Sequence, residues 1–528
     1  MSQLSKIKNS RNAWKMKAIE RAEKIRYLRK ELNRIKKERE ILKKEQRDSQ
    51  SCQCPVAYNG GVVFEHKVDL VFLALQLFLV ARIGFRAVTR VMGVLAPFVG
   101  IPNVPCPQTI INWVTRLSLV RIQSPPVFQG LSHWQQGYNG AIWMIDMSIA
   151  LGTGKILAVL SLNAHHHQLC PGAPGFAQVH CIAVSVANSW TGSSIAEFLK
   201  SLIAVTGRPV AYLKDGGRDL QKAIRLLNEQ ELGSLCIDDI SHVIANLLKH
   251  WYLNHPMFDT FISACGHVSG KLKQTILACL APPKVQTKAR FMNVHRLITW
   301  ADQLLKLSTP GRAAKNSVLS KLRICLDTLP SCRSFIRKFM ADVTPLLECQ
   351  KILKTEGLSH NTLAKCLPLI QEIPSAGLRR DFNAYLDDQL DIAKQLGLDE
   401  KGIPVSSDQI ESLFGLAKQH GTGQMKDADR IAIRLPALCG APTLAEAHQV
   451  LKISVADQNE IRDSLSLIKQ RRQILGNPDC LESLGTESAQ AHITLIPKAK
   501  NRSKNVDTDG ISACYPISCG LEAPCLSG

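Results

Sequence analysis

The sequence predicts an α/β fold: a mixed sheet flanked by helices, divided by a long all-helical interval and preceded by a helical region and a basic coiled coil. Three observations predict it. Between residues 138 and 250, three strand-like apolar runs come in succession and are then followed by alternating helical and strand-like patterns, the order of a mixed sheet. From 251 to 400 the periodicity is helical, with prolines at several breaks. The first fifty residues set apolar side chains at heptad spacing inside a strongly basic stretch.

In that first segment, 1–50, there are 17 Lys and Arg against 7 Asp and Glu. Ile25, Leu28, Leu32, Ile35 and Leu42 fit alternating a and d positions, with Arg39 at the intervening a position. This is the pattern of a short basic coiled coil, suited to pairing two protomers, to following DNA phosphates, or to both. A lone solvated helix is the alternative.

Residues 51–130 read as helical. The run 70–81 is strongly apolar but shorter than the ~20 residues that cross a bilayer, and Asp69 and Arg82 bound it, so a buried helix is expected. Two further helical patterns, 84–96 and 107–119, surround a connection containing Gly and Pro, as in a helix-turn-helix region. In the second, Ile110, Val114 and Leu117 share one face. Gln108, Thr109, Asn112 and Arg116 lie opposite and are of the types that reach base edges or phosphates in a major groove. Ordinary amphipathic packing is the alternative.

The sheet region, 138–250, begins with the run 141–145, which ends at Asp146, the expected tip of a first strand paired with 156–162. Strand 179–187, helix 194–205, strand 209–213 ending at Asp215, helix 219–228 and strand 234–238 complete the order β-β-β-α-β-α-β. The interval 251–400 contains helical stretches at 316–328, 334–348 and 378–396 and reads as an insertion domain. In 401–440 a helix follows in which Ile410, Leu413, Phe414 and Ala417 recur at three- and four-residue steps and which carries Glu411. A helical C-terminal region, 441–486, and a tail, 487–528, with little periodicity and flexible by composition, end the chain. At 528 residues several domains are expected.

Asp146, Asp215 and Glu411 stand at element ends, two on strands and one on a helix. Mg²⁺ takes oxygen ligands and keeps several waters, so a few carboxylates and substrate phosphates suffice for it. Any single one of these acids is more simply a cap, a turn residue or a surface charge; the set and its order carry the reading.

The segments WMIDMS, YLKDGG and SSDQIESLFGLAK, in this order, resemble the DDE transposases of bacterial insertion sequences, which carry an RNase H-like catalytic core. The resemblance runs from about residue 86 to 440, and SSD-x-IES-x-FG-x-x-K is its most specific part. It implies that Asp146, Asp215 and Glu411 are both the catalytic and the metal-binding residues. Two Mg²⁺ (or Mn²⁺) ions are implied as cofactors, and cleavage at transposon ends followed by strand transfer into target DNA as the reaction. Double-stranded DNA is then the partner, and pairing of two ends implies a homo-oligomer on DNA. Lys418, seven residues after Glu411, lies on the same helical face and would hold a phosphate near the metals; a solvated surface lysine is the alternative. The spacing resembles the E-x6-K half of a signature of some transposases, whose upstream Tyr and Arg are replaced here by Pro404 and Ser407.

In CIDDISHVIAN, Asp239 and His242 follow the strand next to that of Asp215. His242 would serve as a proton shuttle or phosphate contact, while Asp239 also fits an N-cap for the next helix. The net charge of +21 and pI of about 9.4 suit a polyanionic partner and salt-dependent binding. The 17 cysteines show no repeated C-x-x-C pairs of a structural zinc site and read as reduced thiols of a cytosolic protein. His165, His166 and His167 read as surface residues of a loop. The charged amino terminus lacks the apolar core of a signal peptide, so a cytoplasmic, nucleoid-associated location without membrane partners is expected. Two alternatives stay open: a nuclease of the same fold that hydrolyses without joining, and a catalytically inactive or domesticated DNA-binding relative.

Overall fold

A computed structural model describes residues 67–101, 103–126, 128, 138–149, 154–283, 290–308, 311–419, 428–458 and 493–497, besides positions 23 and 31. The coiled-coil reading of the first fifty residues lies outside this set, as does most of the tail. The chain divides into two compact units, one of Met1–His66 with Thr89–Pro105, the other of Lys67–Val88 with Cys106–Gly528. Helix α2 (Phe85–Val99) contributes to both, and in the first unit Thr89 Oγ1 donates to the Pro105 carbonyl at 3.1 Å.

The second unit is mixed α/β. Its sheet has six strands, β1 (Ala141–Ile149), β2 (Lys155–Asn163), β3 (Val179–Ala187), β4 (Ala211–Lys214), β5 (Leu235–Asp238) and β6 (Ile493–Leu495), in the order β5-β4-β1-β2-β3-β6. β1, β2, β3 and β6 pair antiparallel, whereas β4 and β5 run parallel to β1. Parallel strands need a crossover, and α5 (Gly192–Thr206) and α6 (Arg218–Glu229) supply it. Their apolar faces cover one side of the sheet: Ile195, Phe198 and Leu202 of α5 and Leu220, Ile224 and Leu227 of α6 pack with Trp143, Ile145, Val159 and Tyr212. α5 opens on a capping box between Thr191 and Ser194. α3 (Pro107–Gln123) and α15 (Ala428–Leu438) pack against β3, and α15 also against β2. Covered on both faces, β2 and β3 are apolar along nearly their whole length.

The strands and helices expected between 138 and 250 are present within one or two residues, with one correction. Asp146 is not the tip of β1, which runs on to Ile149 because Met147, Ser148 and Ile149 stay paired with β2. Asp146 instead marks the place where β1 loses its other neighbour, since the β1/β4 register ends at Ile145 opposite Lys214. The tail reading is corrected as well. Residues 493–495 form β6 on the free edge of β3, where Ser185 Oγ and Thr494 Oγ1 are 2.9 Å apart.

Beyond β5 the described residues up to 402 form helices and short 3-10 turns, without a strand. They are α7 (Ile240–Tyr252), α8 (Pro256–Lys273), a 3-10 turn at Ala278–Leu280, α9 (Arg290–Leu307), α10 (Val318–Cys325), a second 3-10 turn at Leu329–Cys332, α11 (Arg333–Glu356), α12 (His360–Gln371) and α13 (Ala376–Gln395). An aromatic cluster of Phe258, Phe261, Phe335 and Phe339 around Tyr252 holds α7, α8 and α11 together. The Tyr252 hydroxyl donates to buried Asp342. α13 then returns to the sheet: Gln389 accepts from the Asp238 amide at 3.0 Å and the Tyr385 hydroxyl donates to the Asp238 carbonyl at 2.9 Å. α14 (Asp408–Gln419) packs on β1 and α15, burying the expected Ile410, Leu413, Phe414 and Ala417. α16 (Leu444–Lys452) packs on α3 and on α1 (Lys67–Leu79), the apolar run read from the sequence as a buried helix. Among the described residues no helix is long and apolar enough to cross a membrane.

Candidate active site

β1 and β4 bring Asp146 and Asp215 side by side, because Asp215 follows Lys214, the residue paired with Ile145. The Asp215 side chain accepts from the Gly217 amide at 2.9 Å, closing an Asx turn that aims it away from the strand. A Cβ at Gly217 would stand 2.8 Å from Asp215 Oδ1, so a side chain at 217 would disturb this carboxylate. Glu411 arrives from the first turn of α14.

The Asp146 carboxyl is pushed up to about 7 by its burial, then by the negative charges of Asp215 and Glu411; the Met147 amide, donating at 2.6 Å, and His242 oppose the shift. Three carboxylates from distant parts of the chain thus share one electrostatic environment. Such convergence is unfavourable without a compensating cation, and the donor set, oxygen only, is what Mg²⁺ accepts. Asp146, Asp215 and Glu411 thus offer the donor type a divalent ion takes, but their ligand atoms do not all come within 4.8 Å of one another, a closeness that among the described residues only His360, Asp399 and Glu400 reach.

His242 sits in the first turn of α7 with its Nε2 3.3 Å from Glu411 Oε1. Its imidazole is raised to about 9, chiefly by that hydrogen bond and against its own desolvation, with Asp239, Asp215 and Glu411 adding negative charge. Lys418, two turns after Glu411, donates to Ser148 Oγ at 2.6 Å. Burial lowers its pKa and the charge of Asp146 opposes this. A cation thus stands beside the acids on the α14 side.

Asp239 is placed otherwise. It is 1% exposed and its carboxylate is fully engaged: Oδ1 accepts from the Ser241 and His242 amides at 2.7 and 3.0 Å, capping α7, and Oδ2 from the Ser407 amide and hydroxyl at 2.5 and 2.7 Å. It clamps the start of α7 to the start of α14 and so sets His242 against Glu411. Ser407 was not singled out from the sequence as part of a site. A serine before a helix start signals a cap, but its partner 168 residues away is invisible to local pattern. Asp238 pairs with Lys214 on the neighbouring strand at 2.6 Å.

The candidate base-reading residues lie on α3. Gln108 is exposed and donates to Asn112 at 3.0 Å; Thr109 and Asn112 are half-buried; Arg116 donates to buried Gln458 at 2.7 Å. The second half of the helix is enclosed, with Trp113, Leu117, Leu119, Val120 and Ile122 all buried. Arg121, which sequence reading passed over, ties α3 to the C-terminus of α15 through the carbonyls of Ala437, Cys439 and Ala441 and to Glu446 of α16 at 2.7 Å. A guanidinium at a helix C-terminus is favoured by the dipole.

The three histidines are a correction. His165 caps a one-turn helix, α4 (His166–Leu169), His166 is 3% exposed, and desolvation lowers His167 to about 4. His165 and His167 are half-buried, His167 against Gly357 next to the start of α12. The described cysteines are free thiols. His360, Asp399 and Glu400 bring ligand atoms within 4.8 Å of one another. They lie near the start of α12, where His360 donates its amide to the Asp399 carbonyl and its Nε2 stands 3.3 Å from Asp399 Oδ2. No protein-family model matches the chain, and no curated protein matches it.

Proposed function

We propose that the protein is a DDE-type transposase that cuts DNA at transposon ends and joins them to target DNA with two Mg²⁺ or Mn²⁺ ions. The observation that carries this reading is the electrostatic union of Asp146, Asp215 and Glu411, drawn from β1, the end of β4 and the first turn of α14. The strand order β5-β4-β1-β2-β3, with three antiparallel strands followed by two parallel ones, supports an RNase H-like core beneath it.

In this reading the three carboxylates hold the ions. Bound there, divalent ions would supply activation of an attacking water or 3′-hydroxyl and charge stabilisation of the leaving oxygen. The chain's own residues do the rest. Lys418 holds a phosphate oxygen beside Asp146, and His242 orients Glu411 by its hydrogen bond to Oε1. Asp239 keeps the helices carrying those two residues in register. Joining two ends calls for more than one copy of the chain on DNA.

The test incubates wild type and Asp146→Asn, Asp215→Asn and Glu411→Gln variants with labelled candidate end DNA and Mg²⁺ or Mn²⁺, scoring nicked and joined products separately. Loss of both products in all three variants is expected. Nicking without joining would favour a nuclease, and binding without either product a non-catalytic DNA-binding protein.

A further inference from the structure

We propose that one end of the helical interval, built from the C-terminus of α8, from α10 and from the N-terminus of α11, is a surface that binds the phosphate backbone of duplex DNA. Residues 271–338 hold 14 Lys and Arg against two acids, Asp302 and Asp327, a net +12. With the +10 of the first fifty residues, this accounts for the chain's whole excess of +21 and leaves the remainder at −1. The positive charge is therefore concentrated in two places, and of the second the structure describes residues 271–283, 290–308 and 311–338.

Both acids of the segment are already paired. Asp327 accepts from Lys271 at 2.7 Å and lies 3.7 Å from His267, and Asp302 accepts from Lys306 at 2.6 Å. Lys273, Arg312, Lys321, Arg333, Arg337 and Lys338 are exposed, and among the described residues none forms a salt bridge. The fold gathers them. The Lys271–Asp327 pair fastens the end of α8 to the turn after α10, Arg323 clasps the Gly311 carbonyl at 2.7 Å, and the 3-10 turn Leu329–Cys332 leads straight into α11.

Nothing within the described residues repays this arrangement. Arg333 and Arg337 are one turn apart, a spacing at which like charges repel, and with Lys338 they occupy the first two turns of α11, where the helix dipole disfavours cations. A polyanion laid across them reverses each of these penalties and releases its own counterions. A lipid surface fits less well. α10 has eight residues, and its exposed Val318 and Ile324 lie about 120° apart round the helix, so they form no apolar stripe to enter a bilayer.

This assignment shares with the proposed function only its DNA substrate, and its test separates the two. Full-length protein carrying Asp146→Asn, so that no product forms, is titrated with a random-sequence duplex across a salt series. It is compared with a version also bearing Lys321→Gln, Arg333→Gln, Arg337→Gln and Lys338→Gln, and with a control bearing Lys200→Gln, Lys222→Gln, Arg225→Gln and Lys365→Gln. Each lost phosphate contact lowers the slope of log affinity against log salt by about 0.9, so the patch version should lose about 3 to 4 from its slope while the control keeps it. The single variants Lys321→Gln and Arg333→Gln, both at exposed positions, should each lose about 0.9. Equal slopes for patch and control would overturn the assignment. So would patch-dependent binding to phosphatidylserine vesicles without any change on duplex. A protein that binds duplex through this patch yet neither cuts nor joins end DNA would leave the surface standing and sink the transposase reading.

Discussion

Replacing Asp239 separates a clamp from a catalytic acid. In Asp239→Ala the cap of α7 is lost, at about 1 kcal/mol, and the Ser407 amide and hydroxyl, 4% exposed, lose their acceptor. A buried donor left unpaired costs about 1–3 kcal/mol, so the local total comes to about 3–5 kcal/mol once partial relaxation is allowed. Asp239→Asn keeps an oxygen for the cap but turns an NH₂ towards two donors, and should cost about 2 kcal/mol. Amide hydrogen exchange at Ser241, His242 and Ser407 reads this directly. At about 1.4 kcal/mol per tenfold, those amides should exchange about 10²-fold faster or more in the Ala variant and about 30-fold faster in the Asn variant. Because the clamp aligns α7 with α14, DNA cleavage should fall in both variants in the same rank order. Unchanged exchange at Ser407 together with abolished cleavage would refute the clamp and return Asp239 to the reacting centre.

Three further outcomes are expected. The Asp146 carboxyl is raised from 3.8 to about 7; between those values the folded protein keeps a proton the unfolded chain has released, so stability falls as pH rises through this window and the full cost stands above it. Asp146→Asn should therefore melt above wild type at about pH 8 and with it near pH 4, and Mg²⁺ should raise the melting temperature of wild type but not of the variant. Lys418→Met should slow cleavage by about 10²-fold while the Mg²⁺-induced rise in melting temperature persists, since Lys418 is assigned to phosphate and not to metal. Arg121→Met should destabilise the protein by about 3–5 kcal/mol in urea unfolding, because Glu446 and the α15 carbonyls lose their cation, and Glu446→Leu in the same chain should recover part of the loss.

Local pattern carried the sheet well. Strand and helix positions between 138 and 250 follow from apolar runs punctuated by glycine and polar residues, and the burial of Ile410, Leu413, Phe414 and Ala417 follows from their helical spacing. What local pattern could not carry depends on partners far along the chain. β1 outlasts its apolar run because β2 continues to pair with it, a three-residue strand is recruited from the tail by the open edge of β3, and His166 is buried by tertiary packing its polar neighbours do not announce. Asp239 offered two readings by sequence, and the choice fell to Ser407, whose hydroxyl is 168 positions away.

The helical interval is a framework for Glu411 as well as an insertion between two acids. α13 grips both the amide and the carbonyl of Asp238, at the end of the strand next to Asp215. α11 reaches both helices that flank the site, through Gln350 to Ser241 at 3.1 Å on α7 and through Lys354 to Asp408 at 2.6 Å on α14. The Ile240 amide donates to the Val405 carbonyl at 2.9 Å beside the Asp239 clamp. Glu411 stands 196 residues after Asp215, a separation that would otherwise depend on a long, entropically costly closure; here the closure is distributed over several short contacts, each anchored within three residues of β5 or of the start of α14. α11 (Arg333–Glu356) links the two: Gln350 and Lys354 in its C-terminal half brace α7 and α14, while Arg333, Arg337 and Lys338 at its start belong to the basic end proposed for duplex DNA.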